Sequence, residues 1–168
     1  MTKDASLRSS NRLAASAILL SLCFTMLVGS AQAQVPITFK NGVASGDTVR
    51  VELVVGSDTM TLPQPVSSFQ FAVSVEDSLV AFLDIDTNWT MSEKSGWTVR
   101  ANPENGRVGG FSSLNDAFQQ GGTLVTLMFR VPERCYAFQL DLLIFKLNAG
   151  NPNHMPLIPS GIVGECPQ

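Results

Sequence analysis

Apolar and polar residues alternate along most of the chain, and this pattern is typical of half-buried β-strands. The clearest case is the segment 67–86, in which every second residue from 69 to 75 is Phe or Val and the residues between them are small or polar. A period of two places alternate side chains on opposite faces of a strand. Polar residues at 76–78 favour a turn, and an apolar run resumes at 80–85. The segment therefore predicts two strands, which need a second layer to bury their apolar faces.

Seven further segments have the same character, and none of the chain keeps a helical period beyond one turn. The predicted strands are 35–39, 48–55, 69–75, 80–85, 97–102, 107–113, 123–131, 136–147 and 155–163. Turn-forming residues separate them, which favours an all-β sandwich or jelly roll. Residues 62–65 contain two prolines and are predicted to be a connection rather than a central strand, and residues 115–122 are predicted to be a polar loop.

Two irregularities are expected inside these strands. The apolar pattern of 136–147 changes phase near Leu142 and Leu143, which predicts a bulge. Gly109 and Gly110 lie next to each other in another strand and predict a bulge or the close approach of a second backbone.

The first 33 residues have the features of a secretory signal peptide. Three basic residues precede an apolar stretch at 13–28, and Ala-Gln-Ala follows at 31–33. This order predicts cleavage after Ala33, and the apolar stretch is short for a membrane-spanning helix of about 20 residues. We therefore expect a secreted protein, extracellular, periplasmic or at the cell surface, with residues 34–168 as one domain and no membrane span after signal removal.

Charge and cysteine content narrow the possible partners. The formal net charge is −3, and loss of the basic leader makes the remainder more acidic. An acidic domain without a basic cluster is a poor ligand for nucleic acid.

Cys135 and Cys166 remain after export, and such a pair predicts a disulfide. It would close a loop of about 30 residues and contribute about 2–4 kcal/mol, the alternative being two unpaired thiols.

The sequence offers no set of catalytic residues. His154 is the only histidine and lies among Asn and Pro residues, with no predicted nucleophile or acid beside it. Asp84 and Asp86 lie two residues apart, about 7 Å on a strand, a spacing open to a carboxylate pair, but their position beside apolar residues fits solvent-facing side chains better. Because neither a Cys-His cluster nor an Asp-rich calcium loop occurs, we predict a non-enzyme without metal or cofactor.

Four motifs follow one another along residues 35–163. They are Gly-Asp-x-Val at 46–49, Phe-x-Phe-x-Val-x-Val at 69–75 with an acidic turn after it, Gly-x-Leu-x-x-Leu-x-Phe-x-Val at 122–131, and Pro-x-Gly-Ile-Val at 159–163. Their order and spacing resemble the cohesin family, the receptor modules of cellulosome-type assemblies that bind dockerin modules. The resemblance implies a nine-stranded jelly-roll β-sandwich, in the same fold superfamily as the cellulose-binding carbohydrate-binding modules.

The resemblance also implies a function and a site. It implies a non-catalytic module that binds a dockerin-type protein and is linked to polysaccharide catabolism, and the predicted signal peptide makes this a secreted module. The family binds its partner on the outer face of the sheet that contains its third, fifth, sixth and eighth strands. By match, the outward residues here are Gln70, Ala72, Ser74, Glu76, Arg100, Asn102 and Arg107. These residues are equally compatible with an ordinary solvated sheet face.

Two other functions stay open, a carbohydrate-binding module on the same sandwich and a structural surface domain. A polysaccharide partner would need an exposed planar ring to stack on a sugar, and Trp89 and Trp97 are the candidates. Trp97 begins a predicted strand and is expected to be half-buried. Trp89 lies in a polar loop and is the better candidate.

Overall fold

The computed structural model describes residues 35–41, 44–93, 96–113, 116–133, 136–148 and 160–164. Within these ranges the chain forms eleven strands and one turn of 3₁₀ helix at Met91–Glu93. The strands are β1 (Ile37–Asn41), β2 (Thr48–Val55), β3 (Thr61–Val66), β4 (Ser68–Val75), β5 (Ala81–Asp86), β6 (Trp97–Asn102), β7 (Arg107–Ser112), β8 (Phe118–Gln120), β9 (Gly122–Arg130), β10 (Phe138–Leu147) and β11 (Ser160–Val163).

Two antiparallel sheets enclose the core. One has four strands in the order β1-β2-β9-β5, and the other has five in the order β11-β10-β4-β7-β6. Strands β3 and β8 form a small third sheet. This arrangement confirms the all-β jelly-roll sandwich expected from the sequence.

The core lies between the inner faces of the two large sheets. The four residues predicted to fill it, Phe71, Val73, Leu127 and Phe129, are all buried. The ring of Phe129 meets that of Phe138, on the opposite sheet, at 5.2 Å between centroids. Burial of such side chains is the main source of stability in a sandwich, and alternation with period two is what places them all on one side.

The strand count differs from the nine expected because β3 and β8 were not predicted. The sequence predicts a connection at residues 62–65 on account of Pro63 and Pro65, whereas residues 61–66 form β3. They form a strand because β3 pairs with β8 only at its two ends, Thr61 with Gln120 and Val66 with Phe118. The prolines lie between these two points and are exposed, so their missing N–H groups cost no ladder hydrogen bond.

The two strands of segment 67–86 belong to different sheets. β4 is central in the five-stranded sheet and β5 is at the edge of the four-stranded one, so the turn between them crosses the sandwich. In this turn the Asp77 side chain accepts a hydrogen bond from the Leu79 N–H at 2.9 Å and another from the Tyr136 hydroxyl. The bond from Tyr136 is the main reason that the pKa of Asp77 is lowered, and it raises the pKa of Tyr136.

The adjacent glycines in β7 mark neither of the two irregularities that the sequence predicts for them. The register of β7 against β4 and β6 runs without a shift, so the pair marks neither a bulge nor the approach of another backbone. Gly110 faces the core, where an added Cβ would lie 2.5 Å from the ring of Phe69. Glycine is needed there because an aromatic ring occupies the space of its side chain.

The bulge expected near Leu142 and Leu143 is confirmed. The register of β10 against β4 shifts between Leu142 and Ile144. Leu142 remains in the core, while Leu143 and Ile144 are exposed. The bulge thus places two large apolar side chains in contact with solvent.

Several sequence predictions fall outside the described residues. These are the signal peptide at 1–33, His154, and the cysteines Cys135 and Cys166, so the disulfide and the cleavage site stay predictions. In the described part of the chain, no helix has the length and apolar character that crossing a membrane requires.

Candidate functional site

The candidate site is the outer face of the five-stranded sheet, the side that points away from the core. The strand registers and the alternation of burial define its side chains. They are Ile162 on β11; Gln139, Asp141, Ile144 and Lys146 on β10; Ser68, Gln70, Ala72 and Ser74 on β4; Arg107, Gly109 and Phe111 on β7; and Thr98, Arg100 and Asn102 on β6. We call this surface the outer face.

The residues proposed from the family resemblance come together here. Those on β4, β6 and β7 all lie on the outer face, and Glu76 is exposed just beyond the end of β4. Ala72 differs from expectation because it is only 6% exposed. The registers place Ile144 and Arg107 on either side of it, and their longer side chains cover a methyl group. Ala72 is therefore the floor of the face rather than a contact point.

The large apolar side chains of the outer face were missed from the sequence. Phe111, Ile144 and Ile162 on the face, and Leu143 in the bulge, are 43% to 61% exposed. In the sequence, an apolar strand residue that faces solvent looks the same as one that faces the core. The phase change near Leu143 was the available signal, because a bulge there moves Ile144 from the inner to the outer face.

A groove crosses the outer face at Gly109. Four residues on neighbouring strands lie in one row, in the order Arg100, Gly109, Gln70 and Lys146. Because Gly109 has no side chain, the row is open at that point. The resulting groove has a volume of about 700 Å³ and is bordered by Arg107 and Phe111 along β7.

The charged side chains around this groove are all basic. Arg100, Arg107 and Lys146 line it, and none of them takes part in an ion pair within the described ranges. The two ion pairs that do occur there belong to the other large sheet. They join Arg50 to Asp86 at 2.9 Å and Arg130 to Asp47 at 3.9 Å.

Trp97 is packed into the sandwich. Its ring is parallel to that of Phe118 at 4.2 Å and also stacks with Phe69 at 5.8 Å. Its Nε1–H donates a hydrogen bond to the carbonyl oxygen of Asp116 at 2.6 Å. The ring therefore closes one end of the core.

Trp89 is in the opposite situation, with 93% of its surface exposed. Its backbone has a φ of 61°, which is unusual for a bulky residue. The carboxylate of Glu93 accepts a hydrogen bond from the Trp89 N–H at 2.7 Å, and the hydroxyl of Ser92 donates one to the carbonyl of Leu124. The loop thus holds the ring outward from a fixed backbone.

The acidic residues of β5 lie on the outward side of the four-stranded sheet, where Asp84 pairs with Met128 and Asp86 with Thr126. Asp84 is exposed, and Asp86 accepts a hydrogen bond from Arg50. The described residues also contain no group of three His, Cys, Asp or Glu side chains placed to hold a metal ion.

Comparison with known proteins shows which fold the chain resembles. No family model matches the sequence, and no curated protein sequence matches it. Among solved structures, a cohesin module of a family 33 glycoside hydrolase from Clostridium perfringens matches with a TM-score of 0.56 and 17% identity, over 79% of this chain and 96% of that module.

Two other cohesins match to a similar extent. The third cohesin of ScaC from Acetivibrio cellulolyticus, solved with the ScaB dockerin, has a TM-score of 0.54 and 18% identity, covering 79% of this chain and 97% of its own. A non-cellulosomal cohesin from the archaeon Archaeoglobus fulgidus has a TM-score of 0.51 and 12% identity, covering 80% and 93%. The chain has a cohesin-like fold.

Proposed function

We propose that this chain is a secreted, non-catalytic module that binds a partner protein through the outer face of its five-stranded sheet. The observation that carries the proposal is the set of large apolar side chains on that face. Phe111, Ile144 and Ile162 point away from a complete core, so packing within the module does not explain them. Several large apolar side chains that are exposed on one sheet face mark that face as a candidate protein-binding surface.

The composition of the outer face suits a protein partner. Its centre holds the small residues Ser74 and Gly109, so another protein can approach the sheet closely at these two points. Larger apolar side chains flank this centre, and arginines lie toward the β6 and β7 side. Aromatic residues and arginine are enriched at protein interfaces.

The proposed partner is a dockerin-type module, and the proposed setting is polysaccharide breakdown. Support comes from the cohesin-like fold and from one structural neighbour that was solved with a dockerin bound. The basic start and Ala-Gln-Ala site at the beginning of the sequence support secretion.

The test is binding to purified dockerin modules encoded in the same genome, measured by isothermal titration calorimetry. Ile144→Asp combined with Ile162→Asp should weaken binding about a hundredfold, because two carboxylates would be desolvated in the interface. Leu79→Asp is the control for each single change, since Leu79 is at least as exposed as Ile144 and Ile162 but lies in the turn that leaves the sheet. Equal binding by the double variant and the control would refute the use of this face.

A sugar ligand is a second candidate, and the Trp89 loop favours it. A planar ring that is almost fully exposed on a hydrogen-bonded loop can stack on a pyranose. Retention on insoluble cellulose, chitin or xylan that disappears with Trp89→Ala, while dockerin binding persists, would establish this role. Absence of retention on all three would leave protein binding alone.

A further inference from the structure

The groove at Gly109 has a chemical character that the proposed function does not specify. Adjacent strands lie about 4.8 Å apart, so the backbones of Arg100 and Gln70 are about 10 Å apart on either side of Gly109. This gap is wide enough for one side chain from a bound partner. The backbone of Gly109 forms its floor.

Three basic side chains surround the gap and no acidic side chain lines it. Arg100 lies beside Gly109 on β6, Arg107 lies two residues away on β7, and Lys146 lies at the end of the row on β10. Neither arginine has an ion-pair partner within the described ranges. This local excess of positive charge occurs on a chain whose formal net charge is −3, so the groove attracts an anionic group that the rest of the surface would repel.

The other end of the groove is apolar. Phe111 is two residues from Gly109 on β7, a distance of about 7 Å. A segment that runs along β7 in an extended conformation repeats its side chains at the same spacing. An acidic residue over Gly109 would therefore place the side chain two positions away over the Phe111 ring.

We propose that this groove binds an acidic, extended segment of the partner protein, with a carboxylate over Gly109 and an apolar side chain on Phe111. Arg100 and Arg107 donate hydrogen bonds to the carboxylate, and the planar guanidinium suits such paired contacts. The inference rests on the proposed function, because it names the chemistry of the partner at that face. It commits to a peptide rather than to an acidic sugar because the spacing of about 7 Å between Gly109 and Phe111 matches that of alternate side chains in an extended peptide.

The test uses the isotope-labelled protein and a capped pentapeptide, Glu-Ser-Leu-Ser-Glu, observed by NMR. The amide signals of Gly109, Gly110 and Phe111 should shift on titration. The neutral peptide Gln-Ser-Leu-Ser-Gln should bind about tenfold more weakly, since it loses the charge-assisted hydrogen bonds. Equal binding of the two peptides, or shifts confined to other parts of the protein, would overturn the proposal.

Two variants probe the groove itself. Gly109→Val should fill it without unfolding the protein, because an added Cβ would meet only the Phe69 carbonyl oxygen at 3.8 Å. Arg107→Gln removes one donor and leaves the shape of the groove. Each should weaken binding of the acidic peptide about tenfold, while Arg130→Gln on the other large sheet should leave it unchanged. Thermal unfolding of each variant shows that it is folded.

The two proposals fail in different ways. If Ile144→Asp with Ile162→Asp abolishes dockerin binding but Gly109→Val and Arg107→Gln leave it intact, the acidic segment is wrong and the binding face stands. If no dockerin binds but the acidic peptide still does, the partner class is wrong and the groove stands. A galacturonate tetramer that shifts the same amides when the peptide does not would replace the peptide with an acidic sugar.

Discussion

At the scale of single residues, the inner side of the five-stranded sheet is held by a continuous series of aromatic rings. Successive rings in this series have centroids 4.2 to 6.2 Å apart and are nearly parallel. The series runs Phe118, Trp97, Phe69, Phe71 and Phe145. Stacked pairs of this kind add to the free energy of area burial, so a buried ring with partners on two sides should contribute more than a ring at either end of the series.

Phe71 should therefore be among the most costly side chains to remove. It is fully buried and stacks with two neighbours, so we expect Phe71→Ala to lower the free energy of unfolding by about 3–5 kcal/mol. Phe111→Ala makes the same chemical change on the exposed side of the sheet and should cost less than about 0.5 kcal/mol. Urea unfolding of both variants provides the comparison, and similar losses would contradict the assignment of inner and outer faces.

A second prediction at the scale of single residues concerns the stability of the protein at low pH. The hydrogen bond from Tyr136 and then that from Leu79 lower the pKa of Asp77 below its ordinary value of 3.8. Because the unfolded chain takes up the proton first, the stability from these bonds is present above about pH 4 and is lost as the pH falls through the lower, folded-state pKa. Tyr136→Phe should therefore be less stable than wild type near pH 7, and the two should converge toward pH 2.

Urea unfolding of the two proteins across that pH range would test this. A difference between them that stays constant from pH 7 to pH 2 would mean that Tyr136 contributes through packing rather than through the carboxylate of Asp77.

At the scale of elements, the sequence predicted the strands that alternate and missed those that do not. In β2, the alternate residues Val49, Val51 and Leu53 are completely buried, so the period of two was a sufficient signal. β8 has only three residues, and β3 contains two prolines, so neither offers a period to detect. They are strands because they pair with each other, and the local pattern of apolar residues carries no information about that pairing.

The candidate site was also predictable only where apolar and polar residues alternate. The outward positions of β4, β6 and β7 follow from alternation and were identified. Ile144 and Ile162 were not, because an apolar residue is assigned to the core unless its facing is known. The facing of Ile144 depends on where the register shifts after Leu142, and the sequence indicates such a shift only to within a residue or two.

The adjacent glycines of β7 should respond in opposite ways to the same substitution. Gly110→Ala would bring a methyl group within 2.5 Å of the Phe69 ring, and overpacking of this kind costs about 1–3 kcal/mol. Gly109→Ala meets nothing closer than 3.8 Å and should be neutral or slightly stabilising, because glycine is unfavourable in strands. Thermal melting of the two variants is sufficient, and equal effects would contradict the register of β7.

At the scale of the whole molecule, export and cysteine oxidation should be visible in one measurement. We expect the protein recovered from outside the cytoplasm to begin at Gln34 and to have an intact mass two hydrogens below that of residues 34–168, because Cys135 and Cys166 are predicted to be joined. Reduction should restore the two hydrogens and lower the melting temperature. A mass that includes the first 33 residues would contradict cleavage, and two alkylatable thiols would contradict the disulfide.

The pairing of β2 and β4 with strands near the end of the chain also determines at what stage of synthesis the chain can fold. β2 pairs with β9, matching Val49 with Phe129, and β4 pairs with β10, matching Phe71 with Phe145. These partners are far apart in sequence, so loop closure must precede most of the stabilising contacts, and chains of this kind fold in milliseconds to seconds rather than microseconds. Neither large sheet can assemble until the last third of the chain has been synthesised. A chain that emerges in order therefore cannot complete its sandwich during most of its synthesis, which would suit the predicted export through a narrow channel.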